Sequence, residues 1–216
     1  MSLGEYIWSW SARTLRLRRF NGNSNDSSGN WWDGTSISWF WYADWLYWQC
    51  LDRTWSASND RVAFADWGHD GLDSWYMYSM WYNTDTNPWT PQVAIGTDYF
   101  QIGVRAWPVA EVRDYSWSIE PVISFPITLN TWHRIMATYN WSTLVLYVDW
   151  ESRWSSSLPS VANVSRWFHV GNYWVSGNFN YPFSGYIDET VVENRYWFAK
   201  EEKKQYTWAK WRYAAL

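Results

Sequence analysis

Apolar and polar positions along this chain alternate mostly with a period of two, the spacing of a strand and not of a helix. His133–Tyr139 places Ile135, Ala137 and Tyr139 on one face, and Thr143–Asp149 places Leu144, Leu146 and Val148 on one face. Successive side chains of a strand point to opposite faces, so runs of this kind predict half-buried antiparallel strands. Arg61–Phe64, Tyr76–Tyr82, Tyr99–Arg105, Val109–Tyr115 and Gly185–Val192 are short and rich in aromatic or β-branched residues, which predicts further strands. Ala199–Lys210 reads as a helix in which Glu201, Glu202, Lys203 and Lys204 are charged and Tyr206 and Ala209 face inward. Many short strands separated by turn signals, followed by one late helix, predict an all-β fold, an antiparallel β-sandwich or a barrel, with a short C-terminal helix. No internal repeat or linker interrupts residues 1–216, so one domain is the simpler organisation.

Charge and cysteine content narrow the function. Acids exceed bases by 21 to 17, for a net charge of −4, against the basic stripe that nucleic-acid binding needs. Arg16, Arg18 and Arg19 alternate with Leu15 and Leu17 and read as a solvated strand face. Cys50 is the single cysteine, which excludes an intramolecular disulfide and a Cys-x-x-Cys metal or redox site, and a buried inert thiol is expected. No apolar run reaches the ~20 residues of a membrane-spanning helix. Met1–Leu15 lacks the apolar stretch of a signal peptide. The expectation is therefore a protein that stays inside, or a domain cut from a longer exported chain.

One residue type changes the picture. The chain holds 24 Trp against 11 Gly among 216 residues. Many of these Trp stand where a turn is needed: Asn30-Trp31, Asp44-Trp45, Asp66-Trp67, Ser74-Trp75, Ser116-Trp117, Asn140-Trp141 and Asp149-Trp150. Asn-Gly and Asp-Gly are the strongest hairpin signals because a type I′ turn needs positive φ at both central residues. A side chain with a Cβ loses about 1–2 kcal/mol in that region. Most of these Trp are therefore expected to be Gly in the organism, as when UGA codons that encode Gly are read as Trp. Trp81, Trp132 and Trp197 sit in apolar runs and read as true Trp, with Trp32 and Trp208 open. The rival readings are indole platforms for stacking on sugars, and a Trp-rich design.

With Gly at those points a family pattern emerges. Asn130–Arg134, Met136–Asn140 and Ser142–Asp149 resemble the central hairpin of LamG-like jelly rolls. Phe168–Asn172, then Phe183–Val192, then Asn194-Arg195 resemble their last strands, and Ala199–Glu202 the start of the trailing helix. Upstream, Phe20–Gly29 and Tyr42–Gln49 resemble the family's opening Asx-rich loop and its following segment. The resemblance spans about residues 15–207 and is to the concanavalin A-like lectin/glucanase superfamily. It implies two antiparallel sheets packed face to face, with Trp132 between them. It also implies an extracellular or cell-surface, non-catalytic module of a larger protein, binding a carbohydrate or a cell-surface protein.

The same resemblance implies a structural calcium ion between the opening loop and the last strand. Asp26, Asn30, Asp188 and Glu189 stand at the matching positions, and calcium takes 6–8 hard oxygens. Without calcium, Asp26 forms an Asx turn and Asp188 caps a strand end. Glucan-cleaving relatives carry Glu-x-Asp-x-x-Glu or close to it, and a glycosidase needs such a carboxylate pair. Neither Ile187-Asp188-Glu189 nor Glu189–Glu193 supplies it, so no catalytic residue is assigned. His69, His133 and His169 are scattered, no Gly-x-Ser-x-Gly elbow occurs, and Asp66–Asp73 reads as a polar loop. Asn25, Asn140 and Asn163 head Asn-x-Ser sequons, which matter only in a glycosylating eukaryote. The alternatives are a glycoside hydrolase of the same fold, with a carboxylate pair on one sheet face, and a structural spacer of a surface or appendage protein.

Overall fold

The computed structural model describes residues 14–18, 35–37, 41–45, 48–53, 61–65, 75–85, 91–96, 100–105, 108–114, 122–140, 142–157, 167–172, 174–175, 178–179, 181–193 and 195–213. Among these, seventeen strands and one helix are formed. In chain order the strands are β1 (Thr14–Arg18), β2 (Thr35–Ile37), β3 (Trp41–Trp45), β4 (Trp48–Asp52), β5 (Arg61–Ala65), β6 (Trp75–Asn83), β7 (Gln92–Gly96), β8 (Phe100–Arg105) and β9 (Val109–Asp114). They continue as β10 (Val122–Pro126), β11 (His133–Asn140), β12 (Thr143–Val148), β13 (Glu151–Ser157), β14 (Trp167–Val170), β15 (Trp174–Val175), β16 (Asn178–Phe179) and β17 (Tyr186–Glu193). Helix α1 covers Ala199–Tyr213.

The described strands build two antiparallel sheets. The eight-stranded sheet runs β13-β12-β11-β6-β17-β4-β3, with β1 pairing the other half of the β17 edge. The seven-stranded sheet runs β10-β9-β8-β7-β14-β5-β2. A small β15-β16 ribbon stands apart. Strands distant in sequence are neighbours, as β6 between β11 and β17 illustrates. The two sheets face each other in the β-sandwich expected from the alternation.

The apolar faces identified from the sequence are the ones that meet. Ile135, Ala137, Tyr139, Leu144, Leu146 and Val148 lie in one buried cluster with Ile95, Ile102, Val104, Val112 and Ile123 from the other sheet. Tyr76 stacks on Tyr139 with ring centroids 5.2 Å apart. The strand pair β11–β12 registers Ala137 opposite Leu146, so both strands present the same face.

Trp132 is a correction. It is buried, but in a separate cluster with Cys50, Trp81 and Ala209 beneath the helix, not between the sheets. It shares its alternation parity with Arg134 and Met136, whose side chains lie outside the central cluster. The helix is also longer than expected, ending at Tyr213. Phe198 precedes it, and Glu201 Oε2 accepts the Phe198 N–H at 2.9 Å. That is the return half of a capping box.

Candidate functional site

A sandwich has two outer faces, and here they differ in chemistry. On the eight-stranded sheet the outward positions of β6 and β11 carry Met77, Ser79, Trp81, Arg134, Met136 and Thr138, all buried. The segment Arg195–Phe198 and helix α1 lie over them. Trp81 stacks on Tyr206 with centroids 5.6 Å apart, and Met77, Met136, Val145, Tyr147 and Trp197 form a second cluster. Several polar groups in this layer are paired, although Glu202 Oε2 is buried without a hydrogen-bond partner. Arg134 Nε donates to Glu202 Oε1 at 2.8 Å and Nη2 to Ser79 Oγ at 3.2 Å. The Trp197 amide donates to Thr138 Oγ1 at 3.0 Å and its indole N–H to Glu193 Oε2 at 2.5 Å. Arg195 bridges Glu193 and Glu201, each at 2.7 Å. Glu202, read as one of the charged helix residues, is fully buried. This face is closed by the protein itself.

The outer face of the seven-stranded sheet is polar instead. Cross-strand register aligns Arg113 (β9), Gln101 (β8), Gly96 (β7) and His169 (β14) in one row. A second row pairs Glu111 with Gly103 and Ser124. The inward partners of these residues, Ile102, Val112, Ile123 and Val170, belong to the central core. Gln101, Glu111, Arg113 and His169 are nonetheless buried. Glu111 is held by Arg113 Nε and, at 3.7 Å, by Arg105 Nη1. The amide Nε2 of Gln101 is buried without a hydrogen-bond partner. Burying an amide donor unmatched costs about 1–3 kcal/mol. Strands lie ~4.8 Å apart, which puts Gln101 and His169, with Gly96 between them, about 10 Å apart.

The residues assigned to calcium are only partly reachable. Asp26 and Asn30 lie outside the described residues, as do the Asp66–Asp73 loop and the sequons at Asn25 and Asn163. Asp188 and Glu189 are both buried at a bulge in β17, where pairing to β6 skips from Asp188 to Val191. Glu189 has φ 45°, and its amide donates to Asp188 Oδ1 at 2.7 Å. Asp188 is therefore inside a strand and does not cap its end. No group of three or more His, Cys, Asp or Glu able to hold a metal occurs among the described residues. The nearby Cys50 thiol is buried, and burial, then the Asp188 and Asp52 charges, push its pKa upward.

Sequence reading scattered the histidines and missed what His133 does. His133 Nδ1 lies 2.7 Å from Asp149 Oδ2, and Nε2 lies 3.1 Å from the Thr128 backbone. Asp149 Oδ1 also accepts the Arg134 N–H at 3.0 Å. The signal was a His at the start of one strand and an Asp in the turn ending its partner. Gln101 and His169 carried none, since only the register of β7, β8 and β14 aligns them.

No model of a known protein family matches the chain, and no curated protein does either. Solved structures do. The binding domain of botulinum neurotoxin DC, in complex with rat synaptotagmin II, is similar with a TM-score of 0.74 at 12% identity, covering 91% of this chain and 52% of that one. A structure titled for the dependence of botulinum neurotoxin type C cell entry on two ganglioside molecules is similar with a TM-score of 0.74 at 11% identity, over 93% of this chain and 52% of that one. Domain 4 of AbnA, a GH43 extracellular arabinanase from Geobacillus stearothermophilus in complex with arabinotriose, gives 0.66 at 17% identity, over 89% and 97%. The chain spans about half the length of the toxin domains, 52% in each case. At these identities the likeness establishes the β-sandwich fold.

Proposed function

We propose that this chain is a non-catalytic binding module of an extracellular or cell-surface protein, LamG-like in kind, which recognises a carbohydrate on the outer face of its seven-stranded sheet. The observation that carries the reading is the aligned polar row Arg113–Gln101–Gly96–His169 on that face. The opposite face is filled by helix α1. Among the similar structures, ganglioside interaction in one and bound arabinotriose in another support a carbohydrate, and bound synaptotagmin II in a third supports a protein as the second class of ligand. A glycan array on the purified chain tests the reading. Binding that Gln101→Ala and His169→Ala each weaken tenfold or more, with unchanged stability, is expected. Binding to no glycan, or binding indifferent to both substitutions, refutes it.

A glycoside hydrolase needs two carboxylates about 5–10 Å apart. Among the described residues of this face Glu111 is the carboxylate present, and two arginines hold it. This favours binding over cleavage.

Calcium belongs to the same proposal. The buried Asp188–Glu189 pair at an irregular, left-handed backbone position fits a hard divalent cation. Thr190 Oγ1, buried without a partner beside them, adds an oxygen. Asp26 and Asn30 would complete the set and tie the opening loop to β17, a structural role. Calcium at a hundred times its dissociation constant would add about 2.7 kcal/mol. A Tm that falls on adding EDTA is expected, and a Tm unchanged by EDTA refutes it.

A further inference from the structure

Strands β12 and β13 are joined by two residues, Asp149 and Trp150, at φ 51° and 68°. Positive φ at both central positions of a two-residue loop is the backbone of a type I′ turn, whose twist matches the strands it joins. The register on either side is tight, with Val148 opposite Glu151, so the loop has no slack in which to adopt another form.

The two positions are not equivalent chemically. Asp149 belongs in such a turn: Asn and Asp tolerate the left-handed region because their short polar side chains bond locally. Its carboxylate is engaged by His133 and the Arg134 amide, and its own N–H donates to the Arg134 carbonyl at 2.9 Å. Trp150 has no such compensation. The other described non-glycine residues with positive φ are Asn130, Asp149 and Glu189, each with a short or polar side chain. Trp150 is the bulky exception, and its indole lies beside the Lys203 ammonium at 4.2 Å, a contact with a solvent-exposed lysine.

The described tryptophans divide accordingly. Trp81, Trp132 and Trp197 are buried among apolar or matched polar partners. Trp154 stands 63% exposed in the middle of β13, opposite Leu146. Between β11 and β12, Asn140 Oδ1 accepts the Thr143 N–H at 3.0 Å, and Trp141 lies outside the described residues.

We infer that position 150 is glycine in the protein as its organism makes it, encoded by a UGA codon that the organism reads as Gly. The turn is then Asp-Gly, the residue pair that type I′ geometry selects. The buried Trp81, Trp132 and Trp197 remain tryptophan. The exposed Trp154, in the middle of β13, is outside the turn and its identity is not part of the inference.

Tandem mass spectrometry of the protein isolated from its own organism decides it. Glycine at position 150 and tryptophan at position 81 are expected; tryptophan at 150 overturns the inference. Recombinant protein checks the physical reason. Trp150→Gly should raise Tm by about 2–8 °C, because relief of the backbone exceeds the loss of a half-buried indole's contact with an exposed lysine. Trp81→Gly, which opens a cavity under the helix, should lower it. A Tm that is unchanged or lower in Trp150→Gly overturns the reason given.

Discussion

The ion pair under the helix offers a sharp test of how this sandwich is closed. Arg134 and Glu202 meet at 2.8 Å with side chains 4% and 0% exposed. One comes from the middle of a sheet and the other from the first turns of helix α1. Removing one partner of such a pair leaves an uncompensated buried charge, which costs about 3–5 kcal/mol. Replacing both by apolar residues of similar volume is often neutral or stabilising. Glu202→Leu and Arg134→Met should each destabilise by about 3–5 kcal/mol, while the double variant should lie within about 1 kcal/mol of the parent. At about 2–4 °C per kcal/mol for a chain of this length, each single change lowers Tm by about 6–20 °C. Urea denaturation followed by tryptophan fluorescence reads this as a shift in midpoint at constant slope. Single costs below about 1 kcal/mol, or a double variant whose loss is the sum of the two, would show that the pair does not behave as a desolvated unit. The pH dependence has a definite sign. Burial pushes the Glu202 pKa up, with Arg134 opposing. A carboxyl whose folded pKa exceeds its unfolded one contributes stability below the unfolded value and loses it as pH rises through the folded value. Glu202→Gln should therefore flatten the decline in stability on the alkaline side of the normal carboxyl range, and an unchanged profile would contradict the direction.

Two further outcomes are expected. His133→Ala removes the Asp149 and Thr128 contacts at the end of β11 and should cost about 1–3 kcal/mol in a urea melt, with Asp149→Ala similar and the double variant less than additive; full additivity would mean the contact contributes nothing. The Cys50 thiol is buried and its pKa raised by burial and two carboxylates, so it should react with a thiol reagent only as fast as the protein opens. Rapid labelling of the native protein would refute that.

Much of the architecture was legible in local pattern. Period-two alternation in 133–139 and 143–149 gave the hairpin and its buried face correctly. The same alternation could not say which face of the Trp132–Met136 parity turns to the core and which to the helix, because both faces of that strand are buried. Glu202 read as a solvated charge for the same reason: helix periodicity does not reveal a buried arginine waiting beneath it. Composition at the turns was informative, since the Asp149-Trp150 position has the positive φ expected of it.

The sequence by itself determined the class of fold, the strands of its central hairpin, the terminal helix and the Asp149-Trp150 turn, since alternation and turn stereochemistry act over a few neighbouring residues; the turns expected at Asp44-Trp45 and Ser74-Trp75 are not formed there, because Asp44 and Trp45 lie in β3 and Trp75 opens β6. Tertiary structure decided which outer face is packed under the helix and which carries an aligned polar row. Gln101, Gly96 and His169 come from three strands, and only hydrogen-bonded register brings them into one row. Register is a long-range property, set by how two sheets bury their apolar faces against each other.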